Sequence, residues 1–166
     1  MYDDDIDDEE LEDEDDEESV PSNVFVSMAF GRESSDEVWK VIHAVCKEYD
    51  LDAQRAHQSQ FPGSPAIDDA AASLVGMCDM AIIDLTHERP SVAHEVGLCD
   101  GKFDRSLILL IAKEGTPRFA NIGSRMVNYY RSPVHLRSIL DRQLKMMIDA
   151  WHEFDDEDEP GEDEED

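Results

Sequence analysis

Between residues 84 and 97 the chain reads DLTHERPSVAHEVG, and this segment gathers the side chains best suited to chemistry. Asp84 closes the apolar run MAIIDL (80–85), and Glu95 falls in the first turn of the helical pattern that follows. Thr86, His87, Arg89 and Pro90 lie between them as a loop, with Ser91 at the mouth of the helix. The positive end of a helix dipole favours a carboxylate at Glu95. Val92, Val96 and Cys99 supply the apolar side of that helix, so Glu95 is expected to face a cleft. A carboxylate at such an edge suits cleavage of a ribosyl–base bond, where positive charge builds on the sugar as in glycoside hydrolysis. At about 4 Å and an effective dielectric near 20 it is worth roughly 4 kcal/mol. That is about three decades in rate if it is felt only in the transition state. The residues leave open whether the carboxylate attacks the sugar carbon or only stabilises it. Taken singly, Glu95 reads more simply as a helix-dipole partner, and Asp84 as a cap on the turn after it.

The elements that must position these groups alternate between strand-like and helix-like patterns. NVFVSMAF (23–30) is a short, apolar, β-branched strand ending at Gly31. A helix follows, with Ser35 as its expected cap, Asp36 and Glu37 in its first turn, and an apolar stripe of Val38, Trp39, Ile42, Val45, Cys46 and Tyr49. LDAQRAH (51–57) reads as a second strand and QSQFPGSP (58–65) as a loop. A second helix runs from Ile67 to Cys78, and MAIIDL is a central parallel strand. A third helix spans about 91–103, SLILLIA (106–112) is a fourth strand, and RMVNYY (125–130) a fifth. Pro133 opens a long last helix with Val134, Leu136, Ile139, Leu140, Leu144, Met147, Ile148 and Trp151 inward. This order implies right-handed crossovers and a flavodoxin-like (Rossmannoid) α/β fold, a five-stranded parallel sheet with helices on both faces. Ligands of such sheets bind beyond the carboxyl ends of the strands. The candidates are therefore Met28 to Arg32, Arg55 to Gln58, Asp84 to Glu95, and Asn128 to Tyr130.

Of the 42 acidic side chains, residues 1–20 hold 14 and residues 155–166 hold 10, with no base in either stretch. The stretch 21–154 keeps 18 acids and all 14 bases, so the extreme charge is an end effect. The expected division is an acidic tail over 1–21, one α/β domain over 22–154 and a second acidic tail over 155–166. Both tails are too charged and too poor in apolar groups to offset the entropy of ordering, so disorder is expected there. They suit a solubilising role, or docking on a basic protein partner. Without a basic footprint, direct nucleic-acid binding is not expected. Cys46, Cys78 and Cys99 lie in apolar helical patterns and read as buried free thiols of a reducing compartment. The acidic N-terminus and the absence of a long apolar stretch point to a soluble, cytoplasmic protein without membrane association. The six histidines have no zinc spacing, no phosphate loop of the Gly-rich type is present, and MAFGRES lacks a flavin-type phosphate nest. Neither a metal nor a cofactor is expected.

From about 23 to 150 the chain resembles the nucleoside 2-deoxyribosyltransferase-like family and its neighbours, the TIR-like nucleotide-binding proteins. VFVSMAFGRES is similar to that family's opening strand and turn, and AQRAH to its second strand with an Arg. CDMAIIDLTHERPSVAHEVGLCDG resembles its most characteristic block, and RMVNYY with the long helix resembles its ending. The resemblance implies a catalytic carboxylate at Glu95, with Asp84 orienting the sugar or base. It further implies a substrate pocket drawn from Met28, Ala29, Phe30, Gly31, Arg55, Thr86, Pro90, Ser91 and Asn128, in which Arg55 meets a phosphate or hydroxyl. Ser91 stands where the family has Asn, His94 where an aromatic is common, and Pro117-Arg118-Phe119 lacks the family's acid.

Three functions follow. One is an enzyme cleaving or transferring at the N-glycosidic bond of a nucleoside or nucleotide. The second is a TIR-like enzyme cleaving NAD, as an NAD glycohydrolase or a producer of a cyclic ADP-ribose-type signal in defence. The third is a non-catalytic nucleotide-binding or inhibitory protein acting through its tails. A homo-oligomer is plausible, because related enzymes build the pocket partly from a neighbouring subunit.

Overall fold

Met80–Asp84 is buried at all five positions, which requires a strand covered on both faces and paired on both edges. The computed structural model places it so; it describes residues 19–29, 31–55, 67–87, 89, 91–118 and 122–155. In chain order the elements are β1 (Asn23–Ser27), α1 (Glu33–Glu48), β2 (Asp52–Arg55), α2 (Ile67–Gly76), β3 (Met80–Asp84), α3 (Val92–Lys102), β4 (Ile108–Lys113), β5 (Asn128–Tyr130) and α4 (Pro133–Asp155). Among the described residues the strands form one parallel sheet in the order β2-β1-β3-β4-β5. α1 packs against α4 and α2 against α3. This is the expected flavodoxin-like α/β fold, and no described helix is long and apolar enough to cross a membrane.

The core follows the helical stripes. Ile42, Val45 and Cys46 of α1 and Leu136, Ile139, Leu140, Leu144 and Met147 of α4 are buried with Phe25, Ile82, Leu110 and Ile111 of the sheet. Asp79 anchors the start of β1 by accepting from the Ser22 and Asn23 amides at 2.8 and 2.9 Å. The three cysteines are free and buried, and burial pushes each thiol up to about 12.

Several boundaries differ from the sequence expectation for local reasons. β1 stops at Ser27, because the chain then turns through Gly31, whose φ of 73° suits a residue without a Cβ. α1 begins three residues early, at Glu33, so Ser35 is a buried residue of its first turn and not its cap. β4 starts late because Asp104 accepts from the Ser106 amide and hydroxyl, at 2.9 and 2.7 Å, and winds Arg105–Leu107 into a 3₁₀ turn. β5 is only three residues long, and Arg125 pairs with Asp100 at 2.7 Å instead of joining the ladder. Val134, expected inward, is 79% exposed on the first turn of α4. The loop expected over 58–65 and most of both acidic tails lie outside the described residues. Their roots meet, since the Ser19 hydroxyl donates to the Asp155 carboxylate.

Leu140 is fully buried between α4 and the sheet. Replacing it with Ala is expected to lower the unfolding free energy by about 2–5 kcal/mol. Urea denaturation should show this as a lower midpoint at an unchanged slope.

Candidate functional site

The parallel order 2-1-3-4-5 creates a switch point between β1 and β3, because the chain leaves these neighbours in opposite directions along the sheet. Ser27 ends β1 and pairs in register with Ile83, so Asp84 reaches one residue further on the adjacent strand. The charged cluster of the chain is assembled at this crevice.

Glu95 is only 5% exposed, although it is an acid in the first turn of α3. The Ser27 hydroxyl donates to its Oε2. Arg89 Nη2 lies 3.0 Å from the same oxygen and donates to Ser27 Oγ at 2.9 Å. The three groups form a closed triangle drawn from a strand end, a loop and a helix. Such pairing is what a carboxylate needs to be taken out of water. Glu95 was expected opposite Val92, Val96 and Cys99, facing an open cleft. Instead all four are buried together on α3, and Glu95 is paired with the Arg89 side chain, itself 19% exposed. Ser91 occupies the cap position of α3 but makes no side-chain cap bond; its carbonyl accepts from the Glu95 amide at 2.9 Å.

Asp84 heads a second network. Its Oδ1 accepts from the Thr86 amide at 3.0 Å and from the Thr86 hydroxyl at 2.5 Å, a local turn that fixes the loop's departure from β3. Thr86 Oγ1 in turn accepts from the Lys113 amide at 2.9 Å. Tyr130 Oη lies 3.1 Å from the same oxygen. The Thr86 proton is committed to Asp84, so Tyr130 is the donor in that contact. Burial pushes the Asp84 carboxyl up, an effect that the two Thr86 bonds partly offset. Burial also pushes the Tyr130 hydroxyl up to about 12.

Beside this network a cavity of about 140 Å³ opens between the N-terminal ends of α1 and α4. Its lining includes Ser35, Asp84, Thr86, Lys113, Tyr130 and Arg131. A larger one, about 510 Å³, lies toward the other end of the sheet, between the second half of α4 and the starts of β4 and β5.

Of the other residues singled out from the sequence, Met28 and Ala29 are buried just past β1, and Gly31 makes the turn. Phe30 and Pro90 lie outside the described residues. Arg55 ends β2 with its guanidinium 4.1 Å from the centre of the Trp39 ring. Asn128 is not brought to Glu95. It is the first residue of β5, not near its end, and its side chain bonds to the Leu110 carbonyl at 3.4 Å and Gln143 at 3.5 Å, lining the larger cavity. Tyr130 takes the place at the edge. Ser27 and Lys113 were missed; a hydroxyl at the end of an apolar strand was the available signal for Ser27. His94 is exposed, on the outer side of α3.

No family model and no curated protein matches the chain. Solved structures do. A CMP N-glycosidase of Clostridium botulinum, BcmB, superposes with a TM-score of 0.54 at 16% identity, over 73% of this chain and 99% of that one. The lysine decarboxylase LdcF of Francisella novicida gives 0.51 at 9% identity over 81% of this chain, which spans only 18% of the decarboxylase. A diflavin flavoprotein A3 from Nostoc sp. gives 0.47 at 12% identity, over 86% and 99% of the two chains. What is shared is the fold. The chain shares its α/β architecture with that N-glycosidase, over nearly the whole of the enzyme's length.

The raised Asp84 carboxyl gives a pH signature. Its folded value lies above the unfolded value near 3.8, so between the two the folded chain holds more protons and stability falls as pH rises. Asn keeps an oxygen for both Thr86 bonds and removes the buried charge. Asp84→Asn is therefore expected to be more stable than the natural chain at pH 7, with the difference vanishing below about pH 3.8. Thermal melts of both proteins across that range test the sign.

Proposed function

We propose that the protein is an enzyme acting on the ribosyl–base N-glycosidic bond of a nucleoside or nucleotide, with Glu95 as the working carboxylate. The observation that carries this reading is the buried Glu95, held by Ser27 and Arg89 at the switch point of the sheet. The shared fold with a CMP N-glycosidase supports the same bond class.

In this reading the C1′–N bond breaks with its electron pair leaving on the base. The developing positive charge on the sugar ring is met by Glu95, either as a charge partner or by forming an ester at C1′. Water then supplies hydroxide to C1′ and the remaining proton goes to the base; a second base in place of water gives transfer. Ser27 and Arg89 both engage Oε2, so Oε1 is the oxygen left to turn toward the sugar. Arg89 sits on the loop between β3 and α3, where a small displacement would uncover the carboxylate. Asp84, with Thr86 and Tyr130 behind it, orients the sugar or base. Met28, Ala29 and Gly31 form one wall, Thr86 and Ser91 another, and Arg55 meets a hydroxyl or phosphate at the β2 edge. The acidic tails serve solubility or a basic partner and take no part in the reaction.

The test is a panel of ribonucleosides, deoxynucleosides, their 5′-monophosphates and NAD, with the freed base read by chromatography. Base release is expected from at least one nucleoside or nucleotide. It should fall by about three decades in Glu95→Gln, in line with a carboxylate worth roughly 4 kcal/mol in the transition state. Release from NAD alone would favour the NAD-cleaving alternative, and release from none would remove the enzymatic reading.

A further inference from the structure

The cavity between α1 and α4 adjoins the proposed substrate pocket through Asp84 and Thr86, and it carries an unmet polar group. Ser35 lines it and is 2% exposed, and its hydroxyl is buried without a hydrogen-bond partner among the described residues. Buried hydroxyls are nearly always paired, so an orphan against a cavity points to a group that fills it. We propose that this cavity binds a phosphomonoester, with the Ser35 hydroxyl donating to a phosphoryl oxygen and Lys113 and Arg131 supplying the countercharge.

Four further features agree. Both flanking helices turn their N-terminal ends to the cavity, through Ser34 and Ser35 of α1 and through Ser132 and Pro133 at the start of α4, where the Ser132 hydroxyl already accepts from the His135 amide at 3.2 Å. Helix N-termini carry partial positive charge and favour phosphates. Arg32, at the α1 cap, makes no side-chain cap bond, so that end is not closed by the chain's own carboxylate or hydroxyl at the cap. Lys113 and Arg131 also line the cavity, and neither makes an ion pair among the described residues. The volume, about 140 Å³, is well below the ~300–1,000 Å³ of sites that enclose a whole small-molecule ligand. It fits one substituent of a ligand whose remainder lies outside.

Two acids face the same space. Glu37 is exposed at its rim. Asp84 also lines it, with its Oδ1 engaged by the Thr86 amide and hydroxyl, donors that meet its charge in part. The phosphate has two sources. It is the phosphate of the nucleotide on which Glu95 acts, which rests on the function proposed above, or a free phosphate bound independently of that reaction.

The experiment titrates the full, ¹⁵N-labelled chain with inorganic phosphate. Saturable shifts are expected in the amides of Ser34, Ser35, Arg131 and Ser132. Apparent affinity should fall severalfold in Ser35→Ala and at least tenfold in the Lys113→Gln/Arg131→Gln double variant, with thermal melts confirming that each is folded. Shifts absent from these amides, or unchanged by both variants, would overturn the site. Base release from a nucleoside and its 5′-monophosphate then separates the sources. A kcat/KM advantage of the monophosphate that collapses in the double variant assigns the site to the substrate's own phosphate. Phosphate binding without that advantage assigns it to free phosphate. Phosphate binding in a protein that releases no base upholds the site while removing the glycosidic reading.

Discussion

A carboxylate buried to 5% exposure must be met by donors, and the arrangement of the crevice follows from how Glu95 meets them. Its partners come from the end of β1 and from the loop after β3, so one side chain of α3 fixes three elements against each other. Removing one partner of such a buried pair usually costs more than the pair contributes in net stability. The triangle of Ser27, Arg89 and Glu95 therefore specifies the site's geometry more than it stabilises the fold. The stability comes from the apolar layers around β3 and β1, whose burial is close to complete.

That constraint works only because the sheet is parallel and its order reverses between β1 and β3. The strand ends deliver Ser27 and Asp84 side by side, while the crossover helix on one face brings Glu95 back over them. On the other face α1 and α4 converge, and their N-terminal ends frame the smaller cavity. Asp84 stands between the two regions. Its bonds to Thr86, and those of Thr86 to Tyr130 and Lys113, tie the ends of β3, β4 and β5 into one hydrogen-bonded line. A ligand resting on the glutamate and reaching the cavity would cross this line.

Much of the frame was legible in the residues. MAIIDL has the continuous apolar character of a central parallel strand, and its closing acid does mark the edge of the sheet. The α1 and α4 stripes pack against the core as their spacing requires, Val38, Trp39, Tyr49, Ile148 and Trp151 only in part; Val134 fails and is exposed, although Leu136 in the same turn is buried. Strand ends were less legible. Phe30 was counted in β1 and Arg125 in β5 on apolar and β-branched content, but a glycine turn and an ion pair to Asp100 end the ladders sooner. Asn128 was misplaced because its side chain bonds to the Leu110 carbonyl and Gln143 and lines the larger cavity, a direction that the strand pattern does not report.

The sequence by itself determined the fold class and the segment 84–97, because hydrophobic period and the position of an acid after a buried strand are local properties of the chain. It also singled out Glu95 and Asp84 as a pair of carboxylates at one edge. Tertiary structure alone decided that Glu95 is enclosed and not open. Ser27 lies 68 residues away from it, and no local pattern reports that its hydroxyl will point at that carboxylate. The same holds for Ser35, Lys113 and Arg131, which meet only because α1 and α4 pack on one face and β4 ends beneath them. Side-chain meetings of that kind depend on register and helix packing, and these are set by the whole sheet.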